Sequence, residues 1–204
     1  MIKNIIFDIG NVLAHFRWQE LLHDLGMTGE VFEGVADATV RNTGMWNEFD
    51  RGVLSDETII KGCIDSAPQY EKEIRLLFAN VKDIVREYPY AKPWITELKE
   101  RGFRVFLLSN YGKTSYEQGS RGFSFLPLVD GAVISYEVEH IKPEPEIYTA
   151  LFEKYGLKPE ECVFFDDREE NIEAACAQGI HGIVFTSKEE AEQKLQQLLK
   201  GESI

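Results

Sequence analysis

Cysteine is scarce in this chain, and the little there is does not pair by pattern. The three cysteines, Cys63, Cys162 and Cys176, form no CxxC and no cluster with the four histidines. That spacing excludes a disulfide-stapled scaffold and the common zinc sites. Two of the three fall in stretches that read as buried, as reduced structural thiols do. Positive charge is short as well. Lys and Arg number 22 against 35 Asp and Glu, a formal net charge of -13 with a sequence pI of about 4.8. Such a field repels nucleic acid phosphates and anionic membranes, so neither is an expected partner. It also disfavours anionic substrates unless a cation or a local lysine offsets it at the site. No apolar run reaches bilayer-spanning length, no signal-peptide pattern precedes the first apolar segment, and no internal repeat or low-complexity linker interrupts the chain. The expectation is a cytoplasmic protein. What is present is ordinary for a globular chain: 204 residues, 44% hydrophobic and 28% charged, enough for one substantial core or a core with a smaller appended domain.

The first segment sets the pattern. Residues 2–7 are apolar and β-branched, read as a buried strand, and end at Asp8-Ile9-Gly10-Asn11. A carboxylate at the carboxyl end of such a strand lies where parallel α/β sheets place their ligands. An acid that merely caps the strand fits this stretch equally well. Residues 9–15 read as a loop. From Phe16 to about Glu87 apolar residues recur at three- and four-residue spacing, as in Trp18, Leu21, Leu22 and Leu25, then Ile59, Ile60, Cys63 and Ile64. This predicts four or five helices and no strand, one of them starting at Ser55-Asp56-Glu57. Beyond residue 88 strands and helices alternate: helix from Pro93, strand 105–108, helix 113–118, strand 132–134, helix 144–155, strand 162–165, helix 172–178, strand 183–185 and helix 188–200. Alternation of this kind predicts βαβ units and a parallel, Rossmann-like sheet with helices on both faces.

Polar residues recur just past the apolar strands: Asp8, then Ser109-Asn110, then Lys142, then Asp166-Asp167. In a parallel sheet they gather at one edge. Adjacent carboxylates destabilise each other unless something positive lies between them. Mg²⁺, which takes oxygen ligands from one or two carboxylates plus a substrate phosphate, relieves such a cluster, and Lys142 offsets part of the rest. The bland alternative for the Asp pair is a solvated turn opening a helix, where acids are favoured.

These segments are identified as a resemblance to the haloacid dehalogenase superfamily. It is carried by Phe7-Asp8-Ile9-Gly10-Asn11-Val12, Leu107-Leu108-Ser109-Asn110, Lys142-Pro143-Glu144 with Ile147-Tyr148, and Phe164-Phe165-Asp166-Asp167 with Asn171-Ile172. No single motif is specific, but four in this order around a helical insertion are. Within the superfamily the chain is similar to bacterial sugar-phosphate phosphatases of the alpha-D-glucose-1-phosphate phosphatase type. The resemblance implies a core of residues 1–15 and 88–204 and a helical cap over 16–87. It implies Asp8 as nucleophile, forming an aspartyl-phosphate. Mg²⁺ would be held by Asp8, the Gly10 carbonyl and Asp167, with Asp166 and Asn171 behind them. Ser109 and the Asn110 amide would hold phosphate oxygens, and Lys142 would neutralise charge in the transition state. The implied partner is a small phosphorylated metabolite, and the chain would work as a monomer or homodimer. Arg51, in a stretch resembling a cap loop, is a candidate to face the site; an ordinary turn before a helix fits that stretch as well.

One departure stands out. The resemblance implies that most phosphatases of the superfamily carry a second Asp two residues after the nucleophile as general acid; here that position is Gly10, as the sugar-phosphate group it resembles also tolerates. General acid–base catalysis is worth roughly 10²–10⁴ in rate. A leaving oxygen on an anomeric carbon needs less help of this kind, which favours a sugar 1-phosphate. His15 is a candidate replacement donor, against the ordinary structural role of a lone His near a strand end. Two other readings follow from the same residues. A metal-independent 2-haloacid dehalogenase would not need the acidic cluster, and a non-catalytic phospholigand-binding protein would not need the acid. A receiver-type domain shares the Asp pair and Lys but not the long insertion.

Overall fold

The computed structural model describes residues 1–201. Its central sheet has five parallel strands: β1 (Asn4–Phe7), β4 (Arg104–Ser109), β5 (Gly131–Ile134), β6 (Cys162–Asp166) and β7 (His181–Val184), in the order β5-β4-β1-β6-β7. The chain runs outward from β1 through β4 to β5, then crosses back to pair β6 with β1. This reversal beside β1 is a topological switch point, and ligands bind in α/β sheets at the carboxyl ends of the strands there.

Both faces of the sheet are buried, which explains why its strands read as unbroken apolar runs. Side chains alternate between the faces. Ile5, Phe7, Val105, Leu107, Val163 and Phe165 pack on one side, against α6 (Ala91–Glu100) through Trp94 and Leu98 and against α11 (Lys188–Leu199) through Leu195. Ile6, Phe106, Leu108 and Phe164 pack on the other, against α9 (Pro145–Tyr155) and α10 (Glu169–Ala177). Two further short helices, α7 (Lys113–Gly119) and α8 (Ser135–Val138), follow β4 and β5.

Between β1 and α6 come five helices: α1 (Trp18–Asp24), α2 (Gly29–Ala38), α3 (Thr43–Arg51), α4 (Asp56–Ser66) and α5 (Glu71–Ala79). They bury an apolar cluster of their own that includes Leu22, Val35, Phe49, Ile59, Cys63, Ile74 and Leu77. The helix starts follow local chemistry. Asn42 Oδ1 accepts from the Met45 N–H at 3.2 Å, and Ser55 Oγ accepts from the Thr58 N–H at 3.2 Å. Gly52 ends α3 at φ 76°, a left-handed conformation, and a Cβ there would lie 2.6 Å from Tyr136 Cβ. Only glycine satisfies both conditions.

The structure corrects the expectation of a strand-free stretch over 16–87. Residues Ala14–Phe16 (β2) and Val85–Glu87 (β3) form an antiparallel ribbon, with Ala14 opposite Glu87 and Phe16 opposite Val85. Each strand has three residues, too short for a period-two signal, and each needs the other to satisfy its backbone. Backbone bonds from Arg17 N–H to Ile84 O at 2.8 Å and from Tyr88 N–H to Leu13 O at 2.9 Å extend it. The chain therefore enters and leaves the helices between β1 and α6 through one ribbon. No helix of the described residues is long and apolar enough to cross a membrane.

Candidate active site

Asp8 follows β1, its N–H bonded to Phe165 O at 2.9 Å. The loop then turns back on itself through Asn11, which has φ 55°. Asn tolerates that left-handed conformation better than most residues. The Asn11 N–H bonds Ala14 O at 2.7 Å, its Oδ1 accepts from the Phe16 N–H, and its Nδ2 donates to Asp167 Oδ2 at 2.9 Å. Asn11 thus ties the loop after β1 to the loop after β6. The sequence marked it only as a loop breaker; an Asn directly after a Gly was the available signal.

The other segments converge as the parallel sheet demands. Ser109 ends β4 and is buried. The Asn110 side chain locks the backbone of Lys142: its Oδ1 accepts from the Lys142 N–H at 2.7 Å and its Nδ2 donates to Lys142 O at 3.0 Å. Lys142 Nζ donates to Asp166 Oδ2 at 2.6 Å. It also lies 2.9 Å from Asp8 Oδ1, an ion pair out of hydrogen-bond alignment, so that oxygen has no hydrogen-bond donor. Asp166 Oδ1 accepts from the Arg168 N–H at 2.9 Å and from Asn171 Nδ2 at 3.0 Å, and Tyr148 Oη in turn donates to Asn171 O at 2.8 Å. Asp8, Asp166 and Asp167 each offer a carboxylate oxygen, all within 4.8 Å of one another.

The electrostatics follow from burial. Burial pushes the Asp8 carboxyl up to about 6; Lys142 opposes this, while Asp166 and Asp167 add to it. Burial also raises Asp167, against its bond from Asn11. Burial alone would discharge Lys142, but Asp166 and Asp8 hold it charged, above lysine's ordinary value. Three clustered carboxylates against one lysine leave an excess of negative charge. The donor set is all oxygen, and Asp8 Oδ1 and Asn171 Oδ1 are buried without hydrogen-bond donors among the described residues. Those features fit a hard divalent cation.

Asp8, Gly10, Ser109, Asn110, Lys142, Asp167 and Asn171 form the floor of a cavity of about 230 Å³, with Arg168 also in its lining and Asp166 buried behind. Its upper wall is mainly apolar, with Phe16, Val40, Trp46, Ile84 and Val85, and carries the polar side chains Thr43, Asn47 and Asp50. Two candidates lie elsewhere. Arg51 is not part of the lining: its guanidinium forks onto Glu144 at 2.7 and 2.8 Å and its Nε donates to Glu48 at 3.1 Å. The helical phase of α3 turns Arg51 outward and its neighbour Asp50 inward. His15 sits on the β2–β3 ribbon, 3.5 Å from Glu20 and stacked beside Tyr88, and does not line the cavity either.

A sequence model described as haloacid dehalogenase-like hydrolase matches residues 2–179. The chain belongs to the haloacid dehalogenase-like hydrolases. This hydrolase is similar to the D-ribitol-5-phosphate phosphatase of Bacteroides thetaiotaomicron, 30% identical over 188 residues that cover 84% of the chain and 86% of the relative. It is also similar to a sesquiterpene phosphatase of Aspergillus oryzae, 26% identical with 97% of the chain and 96% of the relative covered. Among solved structures, its fold matches that of a haloacid dehalogenase family enzyme of B. thetaiotaomicron in complex with magnesium and inorganic phosphate. The TM-score is 0.72 at 24% identity, over 92% of this chain and 96% of that one. Both of these curated relatives are named as phosphatases.

Proposed function

We propose that this hydrolase is a Mg²⁺-dependent phosphatase of small phosphorylated metabolites, sugar phosphates in particular, working through an aspartyl-phosphate on Asp8. The observation that carries the reading is the cluster of Asp8, Asp166 and Asp167 oxygens around one buried lysine. A dehalogenase that attacks carbon with the same Asp has no use for that excess of negative charge. The named phosphatase relatives support the same reading.

Asp8, Asp167 and the Gly10 carbonyl would hold Mg²⁺, with Asp166 and Asn171 ordering them. Bound there, the cation would offset the charge of an incoming phosphoryl group. The chain's own residues do the rest. Asp8 attacks phosphorus through a carboxylate oxygen. Ser109 and the Asn110 amide hold phosphoryl oxygens. Lys142, positioned by the Asn110 side chain, stabilises the charge shared by Asp8 and the phosphoryl group. The helical insertion acts as the cap. Trp46 and Phe16 offer apolar faces to a sugar ring, and Thr43 and Asn47 offer hydrogen bonds to its hydroxyls.

Hydrolysis of p-nitrophenyl phosphate with and without Mg²⁺, followed by a sugar-phosphate panel, tests the reading. Metal-dependent release and turnover of a hexose 1-phosphate above its 6-phosphate are expected. Release independent of metal contradicts the phosphatase mechanism, and a strong preference for the 6-phosphate contradicts the 1-phosphate assignment.

A further inference from the structure

The nucleophile loop supplies no proton donor, because position 10 has no side chain. A Cβ built on Gly10 would meet only Asp8 Oδ2, at 3.9 Å, so the space beside the nucleophile is open. The wall facing that space is one side of α3. Thr43, Trp46, Asn47 and Asp50 stand at i, i+3, i+4 and i+7, and all four line the cavity. Of these, only Asp50 carries a titratable proton.

Asp50 is held at the junction of insertion and core. Its carbonyl accepts from Ser135 Oγ at 2.5 Å, and that same Oγ accepts from the Tyr111 N–H at 2.9 Å. The Gly112 N–H lies near the Asp50 carboxyl and favours its charged form. Gly112 has no room for a side chain, since a Cβ there would lie 2.5 Å from Phe49 Cε1. The loop that carries Ser109 therefore packs directly against α3 beside Asp50. No hydrogen bond or ion pair joins the Asp50 carboxyl to Asp8, Gly10 or Asp167 among the described residues.

We propose that Asp50 is the catalytic proton donor to the leaving oxygen, and then the proton acceptor from water, in place of the carboxyl missing at Gly10. This rests on the phosphatase reading above. In the first half-reaction an Asp8 oxygen bonds to phosphorus, the bond from phosphorus to the leaving oxygen breaks, and the Asp50 proton passes to that oxygen to give the free alcohol. In the second, Asp50 as carboxylate takes a proton from water as the water oxygen bonds to phosphorus. The bond from Asp8 to phosphorus breaks, phosphate leaves, and Asp50 is protonated again. Burial, with Asp8 adding and the Gly112 N–H opposing, holds the Asp50 carboxyl at about 7. A group poised there serves as both acid and base near neutral pH.

The test compares wild type with Asp50→Asn on p-nitrophenyl phosphate, whose leaving group departs without a proton, and on phenyl phosphate, whose leaving group needs one. Asn retains an acceptor for the Gly112 N–H. In the variant, first-turnover release of phenol falls by about 10²–10⁴, while the first-turnover burst of nitrophenol falls far less and counts the folded sites. Steady-state turnover after the burst is slow, because the acyl-phosphate lacks its base. The proposal is overturned if the variant turns over phenyl phosphate like wild type, or if both first turnovers fall by the same factor, as for a merely structural residue. Failure of the phosphatase reading is separate: it appears in wild type, as absence of Mg²⁺-dependent release from either compound.

Discussion

At the scale of single residues, the site is a balance of buried charge, and Lys142 is its centre. Its Nζ touches both Asp8 and Asp166. Removing one partner of a buried ion pair costs about 3–5 kcal/mol. Lys142→Met is therefore expected to lower the stability of the metal-free protein by about that amount at neutral pH, measured by urea unfolding, and to suppress turnover. A second residue-scale prediction concerns the open space at Gly10. Gly10→Asp in the Asp50→Asn background restores phenyl phosphate hydrolysis by about tenfold or more, because the loop admits a Cβ without a clash. Much of this site was legible in the sequence. Asp8, Ser109, Lys142, Asp166 and Asp167 end strands or follow them, and a parallel sheet brings such positions together whatever the details. Asp50 was not legible, although Arg51 beside it drew attention. Which of two adjacent helical residues faces inward depends on the rotation of α3, and that is set by Phe49 packing on Gly112 and into the insertion's own cluster.

At the scale of elements, two of the contacts that hold α3 to the core are open to direct test. The first is the fork of Arg51 onto Glu144, whose carboxyl the guanidinium pulls down to about 2 from 4.5. A carboxyl whose pKa is depressed on folding contributes stability above its unfolded pKa and loses it as pH falls through its folded value. The contribution is thus full above about pH 4.5 and gone by about pH 2. The side chains are 22% and 33% exposed, so solvent screening keeps the pair weak. Arg51→Ala is expected to cost about 1 kcal/mol at pH 7 and to flatten the loss of stability on acidification, both read from melting curves. The second contact is Phe49 against Gly112. Gly112→Ala forces a Cβ into the Phe49 ring, with an expected loss of about 1–3 kcal/mol and a fall in turnover as Asp50 shifts; unchanged melting and turnover would show that this contact yields freely. The helices α1 to α5 were legible because their apolar spacing is that of helices. The β2–β3 ribbon was not, since a three-residue strand carries no periodicity and its partner lies about seventy residues away.

At the scale of the whole molecule, the order of strands places β1 at the centre of the sheet, so Asp8 has the site's other segments on either side of it. Alternation of strands and helices made the parallel sheet legible; the strand order is a matter of long-range packing that spacing does not encode. The net charge of -13 bears on function at this scale too. A strongly acidic protein binds a phosphorylated metabolite only where local positive charge outweighs its own field, and here Lys142 is the buried cation at the cavity floor. The most direct test of the central claim is to mix the protein with p-nitrophenyl phosphate and Mg²⁺, quench in acid, and map the phosphoryl group by peptide mass. A phosphorylated peptide carrying Asp8, absent without Mg²⁺ and absent in Asp8→Asn, is the predicted result. Nitrophenol release with no phosphoryl group on Asp8, or release undiminished in Asp8→Asn, would contradict it.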